Sequence, residues 1–176
     1  MKKIILSILF VVALCGSSNA DQTNEEIPKW FTELPKSKTM LYARGTAVSG
    51  DMQLSIDKAS IAAKRNLADK LKSIISSKTQ LFVKEVGVGE NTEIYNELEQ
   101  ITSNTINETQ IGSYNEFKSK TVLIGSKYRT FFVLEYPIVE AYKILVPKIE
   151  NNPILEGNVQ TSQAYKDLEK EIKGIN

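Results

Sequence analysis

Histidine is absent from the 176 residues of this chain, and cysteine occurs once, at Cys15. Histidine is the commonest metal ligand and a frequent general base near neutral pH, and structural zinc sites usually add cysteines. We therefore expect no metal, no cofactor and no disulfide. Basic and acidic residues almost balance, at 22 and 21, whereas phosphate contacts usually need a basic excess. We also expect no nucleic acid among the partners.

Long apolar runs are scarce as well, and the clearest one extends from Ile4 to Leu14, interrupted by Ser7. It is shorter than the roughly 20 residues that cross a bilayer as a helix. Lys2 and Lys3 precede it, and small polar residues follow it. This combination is typical of a secretory signal peptide, so we interpret residues 1–20 as one and expect an exported protein of the periplasm or outer membrane.

Two sites compete for the processing of this leader. The residues before Asp21, ending at Ala20, fit the small-x-small pattern of signal peptidase, and cleavage between them is the favoured interpretation. The alternative is lipidation of Cys15, because the segment from Val12 resembles a lipobox, with the bulky Leu14 where a small residue is usual. In that case the lipid on Cys15 would attach the protein to the membrane.

The remaining chain divides by composition into a polar and aromatic lead at 21–35, an α+β domain at 36–150, and a loop with a charged helix at 151–176. Alternation over Met40–Val48 predicts a strand. One of its faces consists of small side chains around Gly45, so a helix could lie close against it. Asp51 is a plausible N-cap for the long amphipathic helix that follows. Its apolar residues recur at helical spacing: Ile56, Ala59, Ala63, Leu67, Leu71 and Ile74.

The later elements are predicted in the same way. The stretch Thr79–Val86 fits either a second strand or more helix, and Thr92–Thr109 predicts a polar helix. A strand within Ile111–Ile124, a two-residue turn and a strand over Lys127–Tyr136 predict a hairpin. Pro137 then opens a third helix. We expect an α+β fold: a small antiparallel sheet made of a strand and a C-terminal hairpin, with helices packed on one face.

One set of motifs suggests catalysis. Ser55 and Lys58 have the S-x-x-K spacing of penicillin-recognising enzymes, and Ser113–Asn115 and Lys120–Val122 lie downstream. The third motif has Val122 where those enzymes have glycine, and it follows the second too closely. We interpret Ser55 and Lys58 as exposed helix positions and expect no catalytic residues. Two alternatives stay open: a periplasmic serine enzyme acting on the cell wall, and a carrier of a small apolar ligand in a cavity between helix and sheet.

Aromatic residues suggest binding instead. Tyr114 and Phe117 are candidates for exposed partner contacts on the outer strand. Both edges of the predicted sheet could also accept a strand from a partner or a second copy.

The chain also resembles a known family. Pro28–Phe31 followed by Leu41–Ala47 is similar to the P-x-W … Y-A-x-G-x-A opening of the Lpp-twenty family of bacterial envelope lipoproteins, which includes flagellum-associated outer-membrane lipoproteins. The similarity continues through Asp57–Ala59 and Ala62–Ala68 and returns at Tyr128–Leu134. This resemblance implies an envelope-resident, non-enzymatic interaction domain, often lipid-anchored. We expect envelope proteins or a second copy as partners, near a surface organelle such as the flagellum.

Overall fold

The computed structural model describes residues 27–87, 92–109 and 113–174. The predicted signal peptide, its cleavage between Ala20 and Asp21 and the alternative lipidation of Cys15 lie outside these residues. The described elements are α1 (Lys29–Thr32), β1 (Met40–Ser49), α2 (Met52–Val86), α3 (Thr92–Thr109), β2 (Asn115–Ile124), β3 (Lys127–Pro137), α4 (Ile138–Glu150), α5 (Glu156–Val159) and α6 (Gln163–Lys173).

The three strands form an antiparallel sheet in which β3 lies between β1 and β2. β1 pairs with β3 along its whole length, from Met40 opposite Pro137 to Ser49 opposite Tyr128. β2 and β3 form the predicted hairpin, and its turn places Gly125 in the left-handed region, at φ 60°. This conformation suits glycine, which has no Cβ to clash.

The sheet has two different faces. The inner face carries Ala43 and Gly45 and packs against α2, while α3, α4 and α6 complete the helical layer around α2. The opposite, outer face carries Phe131 and is contacted by the short helix α1. The fold is therefore α+β, with a small antiparallel sheet and the long helices on one face, as predicted.

The long helix α2 includes Thr79–Val86, the stretch for which the sequence allowed either a strand or a helix. The Asp51 carboxylate accepts a hydrogen bond of 2.7 Å from the Leu54 amide, which confirms the predicted N-cap. The helix then runs without a break to Gly87, whose φ of 70° forms its left-handed C-cap. Thr79–Val86 is thus helical, and Phe82 within it is fully buried in the core.

The chain after α4 packs into the same core. Leu155, Val159 and Leu168 are fully buried in the cluster that also contains the inner face of the sheet. The Tyr165 hydroxyl donates a hydrogen bond of 2.9 Å to a Glu150 carboxylate oxygen. Burial first, and then this hydrogen bond, raise the pKa of Tyr165 well above its ordinary value. Residues 151–174 consequently belong to the same packed unit as the sheet.

The helix α2 lies very close to β1 where the two elements cross. Ala43, Ala59 and Ala63 are completely buried at this crossing. A Cβ atom built on Gly45 would overlap the Ala59 carbonyl oxygen and the Ala63 amide nitrogen. The helix backbone therefore lies directly on the strand, as the small face of β1 predicted, and this position accepts glycine alone without displacing the helix.

We expect Gly45→Ala to lower the free energy of unfolding by at least about 2 kcal/mol, because the added methyl group meets helix backbone and not a movable side chain. Gly50→Ala is the matched control, since a Cβ atom there has nothing within 4 Å. It should change stability by less than about 1 kcal/mol. Urea unfolding followed by circular dichroism measures both. Equal stability of the two variants would contradict the close crossing of α2 and β1.

Candidate interaction surface

The outer face of the sheet carries a second, smaller apolar cluster. Its centre is Phe131, whose ring packs edge-on against Phe31 of α1 with centroids 5.0 Å apart. Arg44 on β1 holds α1 in place, because its Nη1 donates to the carbonyl oxygens of Phe31 and Thr32 at 3.2 and 3.4 Å. These donors satisfy carbonyls that a four-residue helix cannot pair internally. The cluster also contains Val122 and Val133, with Trp30, Leu34, Tyr42 and Phe117 partly buried around it.

A β-bulge directs Phe117 onto this face. The pairing register of β2 shifts between Glu116 and Lys118, which leaves Phe117 as the extra residue. The Phe117 ring reaches across the central strand and packs edge-on against Tyr42 of β1, with centroids 4.9 Å apart. Both rings remain partly exposed. The predicted contact residue Phe117 therefore belongs to a half-buried aromatic pair at the surface.

Tyr114, the second predicted contact residue, lies elsewhere. It precedes β2, and its side chain packs against the inner core cluster, next to α2. The Lys64 ammonium lies 5.1 Å from the centre of its ring. Tyr114, together with Ile61 and Thr109, lines a cleft of about 380 Å³ at the side of α2. The structure therefore does not bring Tyr114 and Phe117 together, since they contact different clusters.

The outer face is strongly basic, which the balanced total charge does not indicate. Strand pairing places Arg44 and Lys118 opposite Val133, and Lys120 opposite Phe131, all on this face. Arg129 precedes Phe131 by two residues on β3 and shares its face. Glu135 is the acidic residue that β3 contributes to the same side. Basic residues thus outnumber acidic ones on the strands of this face, and Glu135 lies directly opposite Tyr42.

The two sheet edges differ in their capacity to accept a further strand. On β1, the carbonyl of Arg44 accepts a hydrogen bond of 2.8 Å from Asn66, and the carbonyl of Tyr42 accepts one from the Lys70 ammonium. Burial, and then the nearby Arg44 charge, lower the pKa of Lys70. Lys70 is therefore engaged with the strand. The predicted strand addition at β1 is opposed by these side chains.

The β2 edge is more accessible, because seven of its ten residues are exposed. Its bulge and its lysines are features that natural proteins use to discourage uncontrolled strand pairing. Regular pairing with β3 resumes after the bulge and continues to Ile124. This second half of β2 is the edge segment that remains suitable for a partner strand.

The serine of the catalytic motif lies inside the protein. Ser55 is completely buried, so the expectation that it is an exposed helix position was wrong, whereas Lys58 is exposed as expected. The Ser55 hydroxyl lies 3.0 Å from the Thr130 hydroxyl and 3.1 Å from the carbonyl oxygen of Tyr128. Ser55 lies on the same side of α2 as the small residues that face the sheet, four residues before Ala59. That spacing places Ser55 on the same side of α2 as Ala59, but it does not indicate which groups of the sheet enclose the hydroxyl.

The other motif residues do not surround this serine. Lys120 lies on the outer face of the sheet, and Ser55 lies between the inner face and α2, so the sheet separates them. The Ser55 hydroxyl instead joins the start of α2 to β3. The Thr130 hydroxyl also lies 2.9 Å from the Thr121 hydroxyl on β2, so the hydrogen bonds connect α2 with both strands of the hairpin. This arrangement is that of a structural hydroxyl network.

Among residues 27–87, 92–109 and 113–174, no group of three or more histidine, cysteine, aspartate or glutamate side chains could hold a metal ion. Within the same ranges, no helix combines the length and the apolar character needed to cross a bilayer. The crossing of α2 over β1 has no room for a Cβ atom at Gly45, and thus none for a small apolar ligand at that point.

Comparison of the chain with models of protein families, with curated proteins and with solved structures gives no match. The resemblance to the Lpp-twenty family therefore stays a prediction based on the motifs quoted above.

We expect Ser55→Ala to lower the free energy of unfolding by about 1–2 kcal/mol, because buried groups lose a hydrogen-bond partner. Ser73→Ala, at an exposed position of the same helix, is the matched control and should stay within about 0.5 kcal/mol of the parent. Thermal and urea unfolding measure the difference. A fluorescent β-lactam should label neither protein, and labelling of the parent but not of Ser55→Ala would instead favour the serine enzyme.

Proposed function

We propose that this chain is a non-enzymatic structural module, exported to the bacterial envelope, that works by protein–protein contact through the outer face of its sheet. The location follows from the leader at residues 1–20 and from the resemblance to envelope lipoproteins. The proposed setting is the periplasm or outer membrane, near a surface organelle such as the flagellum. The contact follows from the aromatic pair of Tyr42 and Phe117 beside basic residues.

That pair is the observation on which the proposed contact rests. Phe117 and Tyr42 are half-buried, and their conformation is held by mutual edge-on packing at 4.9 Å. Aromatic and arginine side chains are enriched at protein interfaces, since they bury a large area with little loss of conformational freedom. Lys118 lies over the Phe117 ring at 5.2 Å, and Arg44 lies on the same face. A partner with an acidic surface complements this charge.

The burial of Ser55 supports a binding role over the alternative of a serine enzyme. A nucleophile must reach its substrate, and the Ser55 hydroxyl is enclosed by Ala47, Tyr128 and Thr130. The close crossing at Gly45 likewise gives the carrier alternative no support at the seam between helix and sheet. Binding through an exposed face requires neither access to Ser55 nor an internal cavity.

The proposed location is tested by the intact mass of the protein recovered from a bacterial host. Cleavage after Ala20 gives a chain that begins at Asp21, which is the favoured result. A diacylglyceryl-modified Cys15 at the N-terminus would instead give a membrane-tethered domain, and both outcomes agree with export. Recovery from the cytosol with residues 1–20 intact would contradict the proposal.

The proposed contact is tested by placing a photoreactive phenylalanine analogue at Phe117 in intact cells. Irradiation should produce a covalent adduct with an envelope protein or with a second copy of the chain. The matched control places the same analogue at Tyr95, an exposed aromatic residue on α3. The double variant Lys118→Glu and Lys120→Glu should reduce the adduct at Phe117 severalfold, because it removes the charge that complements an acidic partner. No adduct at Phe117, or equal adducts at both positions, would argue against this surface.

A further inference from the structure

One end of the domain exposes an unusual concentration of apolar side chains. Nine large hydrophobic residues are exposed in the described part of the chain, and five of them belong to the turn end of the β2–β3 hairpin, the end of β1 or the first turn of α2. Their exposed fractions range from 44% to 58%. We call these five residues the hairpin end: Val48, Met52, Leu54, Leu123 and Ile124.

Strand pairing brings the sheet residues of the hairpin end together. Leu123 lies opposite Tyr128, and Ile124 lies opposite Lys127, directly beside the two-residue turn. Tyr128 also pairs with Ser49, the last residue of β1, so Val48 lies in the neighbouring row. Leu123 and Ile124 point to opposite faces of the strand because side chains alternate. The turn end is therefore apolar on both faces of the sheet.

The start of α2 belongs to the same end. The Ser55 hydroxyl donates to the carbonyl oxygen of Tyr128 at 3.1 Å, which fixes the first turn of the helix beside the Tyr128 row of the sheet. Met52 and Leu54 lie in that first turn and are exposed by 51% and 44%. The five exposed side chains thus lie at the same end of the domain.

Basic residues accompany this apolar end. Lys127 adjoins the turn, Arg129 lies opposite Val48 on β3, and Lys58 lies one turn further along α2. The acidic residues nearby are Asp51 and Asp57, and the Asp51 carboxylate is engaged in capping α2. Positive charge therefore exceeds negative charge around the hairpin end.

We propose that the hairpin end inserts into the interfacial region of an anionic lipid bilayer. Apolar side chains with a basic surround are the combination that binds such surfaces, through burial of apolar area and attraction to anionic headgroups.

This contact does not depend on the proposed function and can coexist with it. The aromatic pair lies near the other end of the sheet, where Tyr42 pairs with Glu135, whereas the hairpin end adjoins Tyr128. Seven residues of β3 separate these rows, which corresponds to roughly 23 Å along an extended strand. The domain can thus face a bilayer and a protein partner at once.

The test uses the full chain as purified from its bacterial host, with Cys15→Ser so that an introduced thiol is the single site for an environment-sensitive dye. One variant carries the dye at Ile124→Cys. The other carries it at Leu81→Cys, an equally apolar and exposed position on α2. The distance from Leu54 to Leu81 along the helix axis is about 40 Å. Vesicles contain phosphatidylglycerol and phosphatidylethanolamine in equal parts, with or without brominated acyl chains.

We expect the dye at position 124 to shift to the blue and to be quenched by brominated lipid, and the dye at position 81 to do neither. Because the comparison is made within one chain, attachment of the vesicle through residues 1–20 would not by itself produce this difference. Met52→Ser with Leu123→Ser should lower the quenched fraction at least about tenfold, since apolar burial drives insertion. High salt or phosphatidylcholine vesicles should also weaken binding.

Three results would overturn the proposal. The first is an unchanged dye at position 124 in the presence of vesicles. The second is equal quenching at positions 124 and 81. The third is a blue shift that depends on protein concentration without lipid, which would assign the hairpin end to a contact between two copies of the chain. Export and crosslinking at Phe117 are unaffected by each of these results, so failure here is distinguishable from failure of the proposed function.

Discussion

The direct contact of the α2 backbone with β1 at Gly45 is the constraint on which the rest of the structure depends. Because Ala59 and Ala63 lie on the strand without an intervening side chain, the polar side chains of α2 come within reach of the sheet. Asn66 and Lys70 can therefore donate to carbonyls at the β1 edge, and Ser55 can reach Tyr128 and Thr130. One close crossing thus covers the inner face, closes part of an edge and buries a serine that would otherwise be available for chemistry.

The surfaces that this packing leaves exposed are the ones on which both proposals rest. With the inner face covered by helices, the outer face holds the aromatic pair of Tyr42 and Phe117, and α1 is held over part of it by Arg44. Leu123 and Ile124 are exposed at the turn end of the hairpin. These surfaces differ in chemistry: the first offers a pair of aromatic rings beside basic residues, and the second offers exposed aliphatic side chains.

Much of the fold was predictable because its signals are local. Asp51 marks the start of α2, the two-residue turn joins β2 to β3, and the small face of β1 indicates a closely packed helix. Thr79–Val86 was ambiguous, since a short apolar stretch satisfies both helical and strand patterns, and burial of Phe82 against the other helices resolves it. Ser55 was misjudged because its hydroxyl partners lie on other strands, distant in the sequence.

The candidate surface was harder to predict, for a reason visible at Phe117. Strict alternation from the buried Val122 would place Phe117 on the inner face, and one extra residue at the bulge transfers it to the outer face beside Tyr42. The sequence by itself determined the strands, the tight turn and the longer helices apart from Thr79–Val86, because neighbouring residues settle most of the backbone conformation there. The tertiary structure alone decided that Arg44, Lys118 and Lys120 share one face and that Ser55 is enclosed. These outcomes depend on strand register and on contacts between residues far apart in the chain, which local patterns do not encode.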